Sequence, residues 1–293
     1  MIKLLKLHRF CTVFVMISSL TGAYAQGFNG DTWATALKNK SARVVLTNAD
    51  LAKFSETVDG NGSGICFDIM NDFATYVQAK YGVAITYDYQ PVANTANFQS
   101  FLNVVKASKG GVFGLGDITI TTARKNTFDF APPYFENVAI LVTDRSVPEL
   151  GSLSDIATTF KGMKAVSQRG TTHDKILKEM QRRYGNFEIV YAETSVGKTD
   201  KVLSSPEYWS YIDFPSYLKL FSDRIAIKRH SVGDRKGESF GFIMPKGSDW
   251  APIITEFFNA NGGYVNSEDY RAVLNKNLGP KVVKLISLLS RKE

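Results

Sequence analysis

The stretch Gly116-Asp117-Ile118-Thr119-Ile120-Thr121-Thr122-Ala123-Arg124-Lys125, followed at once by Thr127-Phe128-Asp129-Phe130-Ala131-Pro132-Pro133-Tyr134, constrains the fold of this chain more than any other. The alternation Ile118-Thr119-Ile120-Thr121 has the period of a half-buried strand, isoleucines to one face and threonine hydroxyls to the other. Three residues further on, Arg124 offers a planar fork of donors that matches a carboxylate in bidentate fashion. The segment reads as a carboxylate pocket, or more plainly as an edge strand followed by a solvated arginine.

Thr-Ile-Thr-x-x-Arg followed by Phe-Asp-Phe-x-x-Pro-Tyr resembles the signature of bacterial extracytoplasmic solute-binding proteins, in the subfamily that serves amino-acid ABC transporters. Its register is tight over about 20 residues, far more specific than a lone glycine motif. The resemblance covers nearly all of the chain after the N-terminal segment, strongest over 64–73 and 117–134 and weakest over 192–236. It implies an α/β, two-lobed type II periplasmic binding protein, each lobe a mixed sheet flanked by helices. In that topology residues 26–141 with 243–293 form one lobe and 142–242 the other, joined by a two-segment hinge.

The N-terminus reads as an export signal. Lys3, Lys6 and Arg9 precede the apolar run 10–20, and Ala23-Tyr24-Ala25 supplies a small-x-small cleavage pattern, so the mature chain is expected to start at Gln26. Removing residues 1–25 leaves 32 basic against 28 acidic side chains, a net charge of +4 in place of +7. The remaining basic residues are spread through the chain without an aromatic-interleaved stripe, which argues against nucleic acid as a partner. No later run approaches the roughly 18 apolar residues of a membrane span. Of two cysteines only Cys66 follows the signal, in an apolar context that favours an inert buried thiol. Without a cysteine at the cleavage point, a free periplasmic protein is expected, acting as a monomer.

About 268 residues with alternating strand and helix patterns call for two α/β units. Strands are expected at 43–47, 83–89, 113–121, 138–142 and 187–191, with the crossing between lobes at the end of 138–142. Helices are expected at 65–80, 98–107 and 174–184. The resemblance implies that a strand within 239–248 leads back to the first lobe and opens a closing helix, a role that the helical spacing of Ile253, Ile254, Phe257 and Phe258 fits.

An amino acid presents a carboxylate and an ammonium close together, so a site that desolvates both must pair both. Arg124 is the cation. Tyr211-Ile212-Asp213-Phe214-Pro215 looks like the family's Asp-x-Pro element, which makes Asp213 the ammonium partner; the same residue also reads as a helix N-cap. Gln168-Arg169-Gly170-Thr171-Thr172 resembles the second-lobe Gly-Thr turn whose backbone donors meet the ligand carboxylate, and Thr171 and Thr172 equally read as a plain N-cap pair. Thr119 and Thr121 would add hydroxyls, and Gln168 falls where relatives reach the ligand side chain. Asn48 follows the first strand where relatives place a polar contact, and Phe54 and Phe98 fall near aromatic contact positions. At Asp117 relatives usually have a small residue; a carboxylate there either favours a basic ligand or points to solvent. His173, at a helix start, reads as solvated, His230 sits in a charged loop with no second ligand nearby, and no spacing indicates a metal or cofactor site.

The expected function is capture of a small zwitterion, an amino acid first of all, for delivery to an ABC permease in the inner membrane. Two rivals stand beside it: a cyclohexadienyl dehydratase-like enzyme with Asp117 or Glu193 as acid, and a ligand-presenting sensor component.

Overall fold

The structure, a computed structural model, describes residues 26–51, 53–92, 98–185 and 187–284. The expected export signal at 1–25 lies outside them. Among the described residues no helix is long and apolar enough to cross a membrane.

Two sheets organise the molecule. The first has five strands in the order Ala84–Tyr89, Ser41–Asn48, Val112–Leu115, Ile243–Pro245, Phe128–Phe130. Its first three strands run parallel, and Ile243–Pro245, arriving from the far end of the chain, pairs antiparallel with both neighbours. Alternation sends Phe113, Leu115 and Met244 into a core covered by the helices Ile65–Tyr81 and Ala251–Asn259. Ile243 points the other way, with Ile118 and Phe128, into a second core under helix Phe98–Ala107. Ile253, Ile254, Phe257 and Phe258 are all buried on the closing helix, as their spacing implies.

The second sheet has six strands. Ile227–Arg229, Phe135–Asp144, Tyr208–Asp213, Lys164–Ser167 and Glu188–Tyr191 follow in order, and Arg235–Phe240 shares an edge of Phe135–Asp144 with Ile227–Arg229. Leu141, Phe160, Leu177, Met180, Trp209 and Tyr211 build its core. His230, placed by the sequence in a charged loop, is fully buried there: its Nδ1 accepts from Leu150 N at 3.0 Å and its Nε2 pairs with Thr143 Oγ1 at 2.8 Å.

The strand pattern expected at 138–142 starts earlier, at Phe135, and lies wholly in the second sheet, from the pair Phe135↔Phe240 onward. The chain therefore changes sheets between Phe130 and Phe135, and returns between Phe240 and Ile243. These two passages lie side by side. Tyr134 N donates to Phe240 O at 2.9 Å, Ala131 N to Phe242 O at 3.0 Å, and Gly241 N to Ile118 O at 3.1 Å.

The expected strand 113–121 is shorter. It ends at Leu115 because Gly116 adopts φ 136°, and residues 117–121 continue as extended chain with a single bridge, Thr119↔Phe240. Cys66 is fully buried, and burial holds its thiol up at about 12, as an inert core group requires.

Gly114 marks a close approach between strand and helix. A Cβ there would come within 2.8 Å of Ile243 Cγ1 and 2.9 Å of both Phe101 Cζ and Val105 Cγ2. Gly114→Ala should cost about 1–3 kcal/mol by overpacking, read as a lower urea midpoint at unchanged m-value; an unshifted midpoint would mean that the helix is free to move away.

Candidate functional site

A cavity of about 310 Å³ lies between the two sheets. The first contributes Ala49, Asp50, Phe98, Asp117, Thr119 and Arg124 to its wall. The second contributes Gln168, Thr171, Thr172 and His173, then Thr194, Ser195, Val196 and Lys198, and finally Asp213.

Arg124 sits on the short helix Thr122–Lys125, whose N-cap is Thr121. The guanidinium is fixed from three sides. Nη1 donates to Thr119 O at 2.9 Å, Nη2 donates across the cleft to Gly170 O at 3.3 Å, and the Phe98 ring centroid lies 5.1 Å from Cζ. Burial lowers its pKa, which remains that of a permanent cation.

Facing it, the 13-residue helix Thr172–Tyr184 begins at the cavity wall. Thr171 is its N-cap, accepting from Asp174 N at 3.2 Å and donating to Gln168 O at 2.8 Å. The turn depends on Gly170 at φ 78°. Thr172 Oγ1 lies 3.4 Å from Thr119 Oγ1, a second link between the lobes. The helix N-terminus thus points its positive end into the cavity.

Asp213 ends the strand Tyr208–Asp213 and stands at the N-cap of helix Phe214–Ser222, yet its side chain makes no capping hydrogen bond. Its Oδ1 instead accepts from Asn137 Nδ2 at 2.7 Å. Asn137 also donates to Glu238 Oε2 at 3.1 Å and accepts from Phe214 N at 3.1 Å. Asn137 and Glu238 sit opposite each other on the paired strands near the crossing, so those strands hold Asp213 in place.

The other sequence candidates divide. Asp117, Thr119, Gln168, Thr171, Thr172 and Phe98 reach the cavity wall with Arg124 and Asp213. Gln168 is held by Glu193 O and Ser195 Oγ, at 2.9 and 3.0 Å. Gly170 stands behind the wall and contributes its carbonyl to Arg124. Thr121, Asn48 and Phe54 are not among the lining residues. The Thr121 hydroxyl accepts from Arg124 N at 3.2 Å, so it caps a helix and faces away from the cavity. Asn48 is fully buried and saturated by Asp50, Ser55 O and Tyr89. Phe54 is core, edge-on to Phe135 at 5.1 Å.

Lys198, His173, Asn137 and Glu238 did not emerge from the sequence as site residues. His173, expected to be solvated, is 3 % exposed, and its Nδ1 lies 3.0 Å from the Lys198 ammonium, itself 3 % exposed. Burial and the adjacent Lys198 lower the His173 pKa to about 4, so the ring is neutral. Because Nδ1 accepts from the ammonium, the ring proton is on Nε2, which has no hydrogen-bond partner and lies 3.5 Å from Asp213 Oδ1. Burial and the neighbouring Asp213 push the Asp117 carboxyl up to about 8. Burial lowers the Lys198 pKa, opposed by Asp213, Asp117 and Glu238.

His173, Asp213 and Glu238 bring one donor atom each within 4.8 Å of one another, a composition open to a divalent cation. The ring proton on Nε2, the adjacent ammonium and the amide on both carboxylates suit a hydrogen-bonded charge network better than a coordination sphere.

No family model and no curated protein matches the chain. Solved structures do. The arginine-, lysine-, histidine-binding protein ArtJ from Geobacillus stearothermophilus matches at a TM-score of 0.64 and 20% identity, over 83% of this chain and 99% of its own. A putative binding component of an ABC transporter from Wolinella succinogenes, complexed with lysine, matches at 0.64 and 13%, over 83% and 98%. The ancestral amino acid-binding protein AncCDT-1, a precursor of cyclohexadienyl dehydratase, matches at 0.63 and 20%, over 83% and 98%. The chain therefore has the two-lobed α/β fold of the type II periplasmic binding proteins.

Asp117 gives a pH test. With a folded pKa near 8 against about 3.9 unfolded, the native state holds the extra proton between these values, so this group's contribution to stability falls as pH rises from about 4 to 8. Asp117→Asn should remove that slope. The melting temperature of the variant relative to wild type should climb across this window, and a constant difference would show that Asp117 ionises normally.

Proposed function

We propose that this protein is a periplasmic substrate-binding protein that captures a small zwitterion, an amino acid first of all, between two closing lobes and passes it to an ABC importer. One observation carries the reading: a guanidinium from one lobe and a carboxylate from the other line the same cavity, beside a helix N-terminus. That is the charge pattern of a carboxylate and an ammonium set close together. The type II fold, and relatives that bind amino acids and include an ABC-transporter binding component, support it.

Arg124, with Thr119 beside it, takes the ligand carboxylate on the first lobe. The Thr172–Tyr184 N-terminus completes that contact when the second lobe closes, and Asp213 takes the ammonium. Ligand favours the closed state by the difference between its affinities for the two states, and a shift from 1:99 to 99:1 needs about 5.5 kcal/mol. Lobe-to-lobe links such as Arg124 to Gly170 O add to the stability of the closed state. The closed surface is what a permease would read.

Arg124→Ala should raise Kd for an amino acid by at least about a hundredfold, because it leaves the ligand carboxylate desolvated and unpaired, a loss of about 3–5 kcal/mol. Asp213→Asn should weaken ligands with an ammonium and spare those lacking one. Isothermal titration of residues 26–293 reads both. Unchanged affinity in the first variant, or equal loss for both ligand kinds in the second, contradicts the assignment.

A second reading, acid catalysis on a carboxylated ring, draws on Asp117, a carboxyl held protonated at neutral pH inside the cleft. AncCDT-1, a precursor of a dehydratase, shares the fold. Glu193, the other candidate acid, is exposed and does not line the cavity. Turnover of a carboxylated cyclohexadiene, lost in Asp117→Asn, would favour the enzyme; intact recovery of every bound compound favours the binding protein.

A further inference from the structure

Lys198 is the feature of the cleft that a generic amino-acid site does not need. It projects from helix Ser195–Ser204, in the part of the chain with the least family pattern, and reaches the cavity wall while 3 % exposed. An ammonium has three N–H donors. Among the described residues one of them is used, by the Nδ1 of neutral His173 at 3.0 Å. Asp213, Asp117 and Glu238 favour its charge through space, but its one hydrogen bond goes to an uncharged ring. Asp213 Oδ1 accepts from Asn137, and among the described residues no hydrogen bond joins Asp213 to Lys198. A buried cation with unfilled donors at a cavity wall asks for an anion from the ligand.

We infer that the cleft selects an acidic ligand, a small amino acid carrying a second carboxylate, with one carboxylate on Arg124 and the other on Lys198. The inference rests on the proposed function and narrows its substrate class. A zwitterion placed on Arg124 leaves two N–H groups of Lys198 without an acceptor from the protein or the ligand. A basic amino acid brings a further positive charge into a cavity that already holds two fixed cations, against the basic preference first suggested by Asp117. A second carboxylate satisfies Lys198, and the ligand ammonium remains to Asp213. The cavity of about 310 Å³ is of the size class that encloses a small molecule.

The test is a calorimetric panel on residues 26–293 with glutamate, aspartate, glutamine, asparagine, arginine, lysine and the amine-free diacids succinate and glutarate, repeated on Lys198→Met and Lys198→Arg. The expected result is tightest binding of glutamate or aspartate, with Lys198→Met weakening that ligand by about thirtyfold or more while its amide counterpart changes little, and Lys198→Arg retaining the preference. The wild-type panel stands as a readout even if Lys198→Met does not fold. Arginine, lysine or an amide bound as tightly as the acids, or an equal loss of acid and amide in Lys198→Met, overturns the inference and leaves the amino-acid reading standing. Binding of the amine-free diacids alone overturns the amino-acid reading and supports the role of Lys198. A silent panel counts against both.

Discussion

The structure turns on the burial of opposite charges in one cleft. Arg124, Lys198 and Asp213 meet between two sheets beside the protonated Asp117, where an unpaired charge costs several kcal/mol. Most of that cost is offset locally. Two backbone carbonyls and an aromatic ring hold Arg124, Asn137 holds Asp213, and a neutral histidine receives Lys198. Both cations line the cavity, and the proposed ligand anions would meet them there.

The connection between lobes serves the same network. Two adjacent passages cross from sheet to sheet, and just beyond them Asn137 and Glu238 stand opposite each other. Asn137, Glu238 and Asp213 all lie on the second sheet, so one lobe carries this network, and the direct links between lobes run from Arg124 to Gly170 and from Thr119 to Thr172.

Much of this was legible in the sequence wherever chemistry is local. Arg124, the Gly170 to Thr172 turn and Asp213 lie in short segments whose residue order marks them, and Arg124, Thr171, Thr172 and Asp213 come together at one cavity wall. Period-2 and helical patterns marked most of the elements that carry them. Where the reading departed, a specific local term intervened. Over 118–121 burial does not alternate: Ile118 and Thr119 are buried while Ile120 and Thr121 are half-buried, because Gly116 at positive φ ends the strand first and Thr121 caps a helix. Asn48 and Phe54 occupy plausible positions, yet neighbours saturate the amide and the core absorbs the ring. The strand from Phe135 reads equally well as the end of one lobe or the start of the next, since only pairing with Arg235–Phe240, about a hundred residues away, decides it. Lys198 and His173 were invisible as site residues for the same reason. They meet across 25 residues of sequence, and no spacing rule brings a helix-start histidine to a lysine on the next helix but one strand.

The most direct test of the central claim is a crystal structure of residues 26–293 with its ligand. The account predicts ligand density inside the cavity between the sheets, a carboxylate within hydrogen-bonding distance of the Arg124 guanidinium, and the ammonium on the Asp213 side. Density elsewhere on the molecule, or a ligand in the cleft with its polarity reversed, would contradict it.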